Sequence, residues 1–236
     1  MPRTLYLIPC WLGEGQTAPI PEYIKPVINN LTHYIVENEK SARQFLKAMA
    51  IAVPQQQLQL FPLNEHTTPK EISGYLKPLL EGKDMGLVSD AGCPAVADPG
   101  ANIVQLAHNK GIRVVPMVGP SSILLTLMAS GFNGQNFSFV GYLPIDKQQR
   151  IKRIKELEKL VFSINQTQLF IETPYRNGSL FLDILQNCDG RTRLCVATDI
   201  TLPSEEIRTL PVSEWKKKTD FDKKLHKRPT VFALYK

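Results

Sequence analysis

The chain has 236 residues, 28 Lys plus Arg against 22 Asp plus Glu, a formal charge of +6, and 43% hydrophobic residues. That length and composition allow one large domain or two small ones with a sizeable core, and no run reaches the roughly 18 consecutive apolar residues needed to span a bilayer. The apolar run at residues 5–10 is too short for a secretory leader and lacks a small-residue cleavage site, which predicts a cytoplasmic protein.

Strand and helix signals alternate along the chain. Residues 4–9 (TLYLIP) read as a buried strand: short, apolar and closed by Pro9. A helix follows near residues 22–31 with Pro21 at its start, then a strand at 33–36 and a helix at 41–51 with Phe45, Met49 and Ala52 on one face. Thr68-Pro69-Lys70-Glu71 is a helix start in which Thr68 and Glu71 can cap each other; that helix is predicted to run to Gly82. Residues 85–88 read as a strand, 102–109 as a helix, 112–116 as a strand and 121–131 as a helix.

The second half repeats the alternation. Strands are predicted at 137–141, 168–172 and 194–198, and helices at 146–160 and 178–187. Residues 205–210 and 230–235 read as antiparallel strands. Strand–helix–strand order implies a mostly parallel sheet with both faces covered. The reading is therefore two α/β domains, 1–118 with a mostly parallel sheet and 119–236 with a mixed one.

Two segments have the shape of ligand loops. In LVSDAGCPAVADPG a buried strand runs into Ser89-Asp90, then into small residues and prolines, then into a helix. Ligands of parallel sheets bind at the carboxyl ends of strands, and small residues let the backbone approach them. The competing reading is a tight turn in which Asp90 and Asp98 serve only as caps. In VVPMVGPSS a strand leads through Gly119-Pro120 to a helix N-terminus beside Ser121 and Ser122, which suits an anion or forms an ordinary cap. Glu172-Thr173-Pro174-Tyr175-Arg176 also closes an apolar strand, where it can orient a ligand or form a capping ion pair.

The familiar nucleotide loops G-x-G-x-x-G and G-x-x-x-x-G-K-[ST] are absent, as are the serine-hydrolase elbow and H-E-x-x-H. Cys10, Cys93, Cys188 and Cys195 form no C-x-x-C pair, so they read as buried free thiols and no metal is expected. His66, following Glu65, is a loop histidine that suits either a general base or an ordinary surface position. Residues 147–155 (KQQRIKRIK) and 216–228 (KKKTDFDKKLHKR) concentrate positive charge, either as solvated faces or as an RNA-contacting surface.

These segments together resemble the tetrapyrrole methylase superfamily, most of all its ribosomal RNA small subunit methyltransferase I branch. Ser89-Asp90-Ala91-Gly92-Cys93-Pro94 with Asp98-Pro99-Gly100 is similar to the branch's S-D-A-G-x-P…D-P-G loop. Val118-Gly119-Pro120-Ser121-Ser122 resembles its P-G-P-S segment, Gly141-Tyr142-Leu143-Pro144 its G-F-L-P, and Glu172 to Arg176 its E-S-P-H-R. Residues 197–205 resemble A-R-E-L-T-K-x-x-E, with Thr198 and Leu202 in place of Arg and Lys. The N-terminal P-T-P-I-G-N-L segment is replaced by Pro9-Cys10-Trp11-Leu12-Gly13-Glu14-Gly15; E-D-T-R appears as Glu37-Asn38-Glu39-Lys40, and H-E-H-N as Asn64-Glu65-His66-Thr67.

The resemblance implies a methyltransferase that binds S-adenosylmethionine in a cleft between two α/β domains, forms a homodimer and needs no metal. Carried over by motif, the cofactor contacts fall on Asp90, Ala91, Gly92, Cys93, Val96, Ser121, Ser122, Tyr142, Glu172, Thr173, Ala197, Pro229 and Thr230. Candidate catalytic residues are His66, Glu65 and Glu37. The implied substrate is a cytidine ribose 2′-oxygen of small-subunit rRNA. Methylation of a tetrapyrrole-like or other small molecule, or an inactive cofactor- or RNA-binding homologue, are the alternatives.

Overall fold

A computed structural model describes residues 3–64 and 66–236. The chain divides into two compact units, Met1–Ser121 and Ser122–Lys236.

In the first unit, β1 (Thr4–Ile8), α1 (Ile24–Ile28), β2 (His33–Val36), α2 (Glu39–Ala48), β3 (Gln59–Pro62), α3 (Pro69–Tyr75), α4 (Lys77–Leu80), β4 (Met85–Val88), α5 (Gly100–Asn109) and β5 (Arg113–Pro116) build a sheet of order β3-β2-β4-β1-β5. Every pairing in it is parallel. Successive side chains of a strand point to opposite faces, and the core follows that alternation. Tyr34, Val36 and Val88 join a cluster with Phe45, Leu46 and Ile24, while Ile35, Leu87 and Met85 join one with Leu79 and Ile103. Both faces are therefore covered, which is why these strands read as unbroken apolar runs.

Local chemistry sets the helix starts. Asn38 accepts hydrogen bonds from the Lys40 and Ser41 amides at the head of α2. Thr68 and Glu71 form the reciprocal cap expected at α3. The single helix predicted up to Gly82 is instead two, α3 and α4, parted at Leu76. Pro78 has no N–H for that turn, and its ring crowds the carbonyl four residues back, so the helix breaks there. Strand β3 was not foreseen: its four residues follow a glutamine run and show no clear period.

In the second unit, α6 (Ser122–Ser130), β6 (Phe137–Tyr142), α7 (Lys147–Ser163), β7 (Thr167–Ile171), α8 (Asn177–Asn187), β8 (Arg193–Thr198), β9 (Glu206–Pro211), α9 (Val212–Trp215), α10 (Phe221–Lys224) and β10 (Thr230–Tyr235) build the sheet β6-β7-β10-β8-β9. Strands β6 and β7 are parallel; β10 is antiparallel to β7 and β8, and β8 to β9. The mixed sheet predicted for this half is present. Its core gathers Phe170, Phe181, Phe232 and Trp215. The Trp215 indole N–H donates to the Leu194 carbonyl at 2.8 Å, so the ring is buried with its one polar atom satisfied. The basic stretch 216–228 is not wholly loop: α10 lies inside it and buries Phe221.

Candidate functional site

Because all strands of the first sheet run one way, their carboxyl ends share one edge. That edge carries Pro9 and Cys10 after β1, Glu37 after β2, Asn64 and His66 after β3, Ser89 and Asp90 after β4, and Met117 to Ser121 after β5. His66 is exposed, and its amide donates to Asn64 Oδ1 at 3.0 Å. Glu65 lies outside the described residues.

Hydrogen bonds lace the ends of β1, β4 and β5 together. The Cys10 amide donates to Gly92 O at 2.9 Å and the Gly92 amide to Trp11 O at 3.3 Å. The Ser89 hydroxyl donates to Gly92 O at 3.3 Å, and the Cys93 thiol to Pro120 O at 3.5 Å. Gly119 lies so close to Pro9 that a Cβ on it would stand 2.2 Å from the proline ring, so only glycine permits the β5 exit to lie against the β1 exit.

The loop after β4 is strained. Ala95 and Ala97 adopt φ of 66° and 62°, a left-handed region that costs an L-residue roughly 1–2 kcal/mol. Asp98 holds the turn: its Oδ1 accepts from the Ala95 amide at 2.9 Å and the Gly100 amide at 2.7 Å. Asp98 thus braces the turn and the first amide of α5, although the N-cap position of that helix is Pro99 and not either aspartate. Asp90, Ala91 and Val96 stay exposed on the rim, Gly92 is buried, and Cys93, Ser121 and Ser122 are half-buried.

Glu37 reaches this loop, accepting from the Asp90 amide at 3.2 Å. The Asp90 carboxyl is raised above its ordinary value by burial first and the Glu37 charge second, against a lowering hydrogen bond from Ser41. Burial likewise raises Asp98, with a smaller push from Glu37, although the two amide bonds oppose it. A pocket of about 170 Å³ beside Asp90 is lined by Trp11, Leu12, Glu14, Ser41 and Gln44. Of these, Ser41 and Gln44 were not foreseen, because both lie within an amphipathic helix whose pattern reports only its buried face.

In the second unit the carboxyl ends of β6, β7 and β8 and the amino ends of β9 and β10 share an edge. Tyr142 ends β6 and is 58% exposed. Glu172 follows β7 with its side chain fully buried; Oε1 accepts from Arg176 Nη2 at 2.6 Å and from the Thr173 amide at 2.7 Å. Its Oε2 has no partner among the described residues, nor do Arg176 Nε and Asn177 Oδ1 in the next turn. A buried acceptor left unpaired costs about 1–3 kcal/mol, more if charged.

Ala197 is wholly buried inside β8, Pro229 is exposed and Thr230 is buried at the start of β10. An unforeseen residue sets Pro229 and Thr230 in place. Arg228 Nε donates to Asp199 Oδ2 at 2.7 Å and Nη2 to Ser204 O at 2.7 Å. The Arg228 carbonyl accepts from Asn177 Nδ2 at 2.7 Å and Thr230 Oγ1 at 3.0 Å. In the sequence this arginine is one of several basic residues, and nothing sets it apart. The basic helix α7 turns Arg150 inward: it is buried against Asp183 at 2.6 Å and donates to Ile145 O at 2.8 Å, so part of that charge is structural.

No family model matches the chain. Curated relatives do. A ribosomal RNA small subunit methyltransferase I of Vibrio cholerae is 29% identical over 210 residues, covering 89% of this chain and 69% of that protein. One of Neisseria meningitidis is 30% identical over 235 residues, 98% of this chain and 76% of that protein. This chain belongs to the ribosomal RNA small subunit methyltransferase I family. It is thereby a methyltransferase. The match to the family's Pseudomonas aeruginosa member is 32% identical over 151 residues and spans about half of that protein, 52%. The fold has likenesses among solved structures. The methyltransferase CobJ superposes with a TM-score of 0.65 at 15% identity, covering 100% of this chain and 94% of that one. A uroporphyrin III C-methyltransferase from Thermus thermophilus gives 0.60 at 14% identity, covering 99% and 97%. Both place the family's two α/β units in the tetrapyrrole methylase fold. Among the described residues no group of His, Cys, Asp and Glu is arranged to hold a metal, and no helix is long and apolar enough to cross a membrane.

Proposed function

We propose that this chain transfers a methyl group from S-adenosylmethionine to the ribose 2′-oxygen of a cytidine in small-subunit rRNA. The reading rests on family membership, and one observation of the site carries it: the S-D-A-G-C-P loop is held open at its sheet edge by Asp98, with Asp90, Ala91 and Val96 facing solvent.

The residues present fit that cofactor. Its hydroxyl and amino groups are donors of the kind Glu172 Oε2 lacks, and its apolar portions suit the exposed Val96 and Tyr142. In this reading the cofactor contacts are Asp90, Ala91, Gly92, Cys93, Val96, Ser121, Ser122, Tyr142, Glu172, Thr173, Ala197, Pro229 and Thr230, with Ala197 restricted to its backbone by burial. When bound, the cofactor supplies an electrophilic methyl on a sulfonium, so the chain's own task is mainly positioning. A ribose hydroxyl must also lose its proton; His66 and Glu37, at the edge that carries the loop, are the groups assigned to that relief, together with Glu65, which lies outside the described residues. The protein acts as a cytoplasmic homodimer on a ribosomal subunit.

Incubating the protein with radiolabelled S-adenosylmethionine and small ribosomal subunits from a strain lacking its gene, then mapping the label, tests this. Label on one cytidine ribose is expected. Cofactor binding by calorimetry without any label on RNA would sink the rRNA assignment and point to a small-molecule acceptor.

A further inference from the structure

Beside the Glu172 turn, on the outer side of α8, lies a surface that the cofactor and proton-relief assignments do not use. Tyr175 is 70% exposed there, although it sits in an otherwise well-anchored turn. The His226 ring packs edge-on against it, centroids 5.8 Å apart at 76°. Lys227 Nζ stands over the tyrosine ring at 5.9 Å from its centroid. Lys227 occupies the left-handed region, φ 61°, and its amide donates to the Pro174 carbonyl at 3.0 Å. Backbone held in that region persists where surrounding structure enforces it, and such positions gather at functional sites. Here the strained residue ties the basic segment to the turn carrying Tyr175.

A groove of about 440 Å³ opens alongside, lined by Tyr175, Ser179, Leu182, Lys223 and His226, with Asp222 as its acidic member. Its floor depends on Gly178, where a Cβ would stand 2.8 Å from the Asp222 carbonyl. Between positions 216 and 228 the chain carries six lysines and one arginine against two aspartates. Asp220 is paired with Lys223, and Arg228 is turned to Asp199, while Lys227 is the exposed cation that stands over the tyrosine ring.

An exposed aromatic ring braced by a second ring and surrounded by positive charge suits an unstacked nucleobase with its phosphates. We propose that Tyr175, braced by His226 and Lys227, is a stacking platform for a single-stranded nucleotide of the RNA substrate, with Lys227 on its phosphate. The proposal rests on the RNA reading above.

The test is fluorescence anisotropy with the full chain and a labelled single-stranded oligoribonucleotide of mixed sequence. Tyr175→Ala should weaken binding about 5- to 100-fold, the usual cost of losing one base stack. Tyr175→Phe should bind like wild type, and Lys227→Met should reduce the salt slope by about 0.7, one phosphate contact to a single strand. Circular dichroism and cofactor binding of each variant check that the fold is kept. Equal binding by Tyr175→Ala and wild type, or a fully paired duplex competing as well as the single strand, overturns the platform and leaves the RNA reading standing. Absence of any salt-sensitive RNA binding by wild type overturns both.

Discussion

Removing the Asp98 carboxylate strands the Ala95 and Gly100 amides in a turn that already contains two left-handed alanines. Asp98→Ala should therefore cost on the order of 2 kcal/mol in urea denaturation and weaken cofactor binding measured by calorimetry. Asp98→Asn keeps an oxygen at the same place and should lose much less; equal losses would mean that charge, not the two hydrogen bonds, holds the loop. The carboxyls at this edge also carry a pH signature. Asp90 and Asp98 are raised in the folded chain by burial and then Glu37, so the native state binds their protons more tightly than the unfolded state. Their contribution to stability is full below the ordinary carboxylate range and is lost as pH rises through the raised folded values. Glu37→Gln removes the like charge and keeps an acceptor for the Asp90 amide. The Asp90 titration, followed by carbon NMR of the carboxyl, should then move down; no movement would show that burial alone raises it.

At the scale of elements, α7 is fastened to α8 by the buried Arg150–Asp183 pair, whose side chains are 8% and 5% exposed. The same guanidinium holds the Ile145 carbonyl, so it also fixes the turn that follows Tyr142. Arg150→Ala leaves Asp183 buried without its main partner and should destabilise the second unit by about 3–5 kcal/mol. Lys147 Nζ, 3.9 Å from the other Asp183 oxygen, limits the loss by moving in. The double variant Arg150→Met, Asp183→Leu should recover most of the stability in the same denaturation experiment, while Tyr142 and cofactor affinity stay perturbed. Full recovery of both would mean that the arginine does not position that turn.

Across the whole molecule, what could be read from the residues follows from how they are patterned. Both sheets were legible, because buried parallel strands such as Met85–Val88 are short apolar runs bounded by turn residues. The β4 loop was legible because its small residues and prolines leave a distinctive trace, and Asp98 was open to reading as a cap. What escaped were features set by tertiary partners. Strand β3 is defined by its pairing with β2. The break at Leu76 turns on one proline two residues on. Arg228 and Arg150 look like any surface cation until Asp199 and Asp183 are seen opposite them. The unpaired oxygen of Glu172 leaves no mark in the sequence, since it is defined by what fails to reach it.

The four thiols are unequal in a way an experimenter can exploit. Cys10, Cys188 and Cys195 are buried, and burial raises each of them, Cys10 to about 12, so alkylating reagents should leave them untouched in the folded chain. Cys93 is half-buried in the β4 loop, and burial raises it too, but its sulfur is not sealed in the core as the other three are. It is a native reporter: a slow, single-site modification by iodoacetamide, read by mass spectrometry, should be suppressed when S-adenosylmethionine is added. An unchanged rate at saturating cofactor would place the ligand away from Cys93 without any need to engineer a probe into the protein.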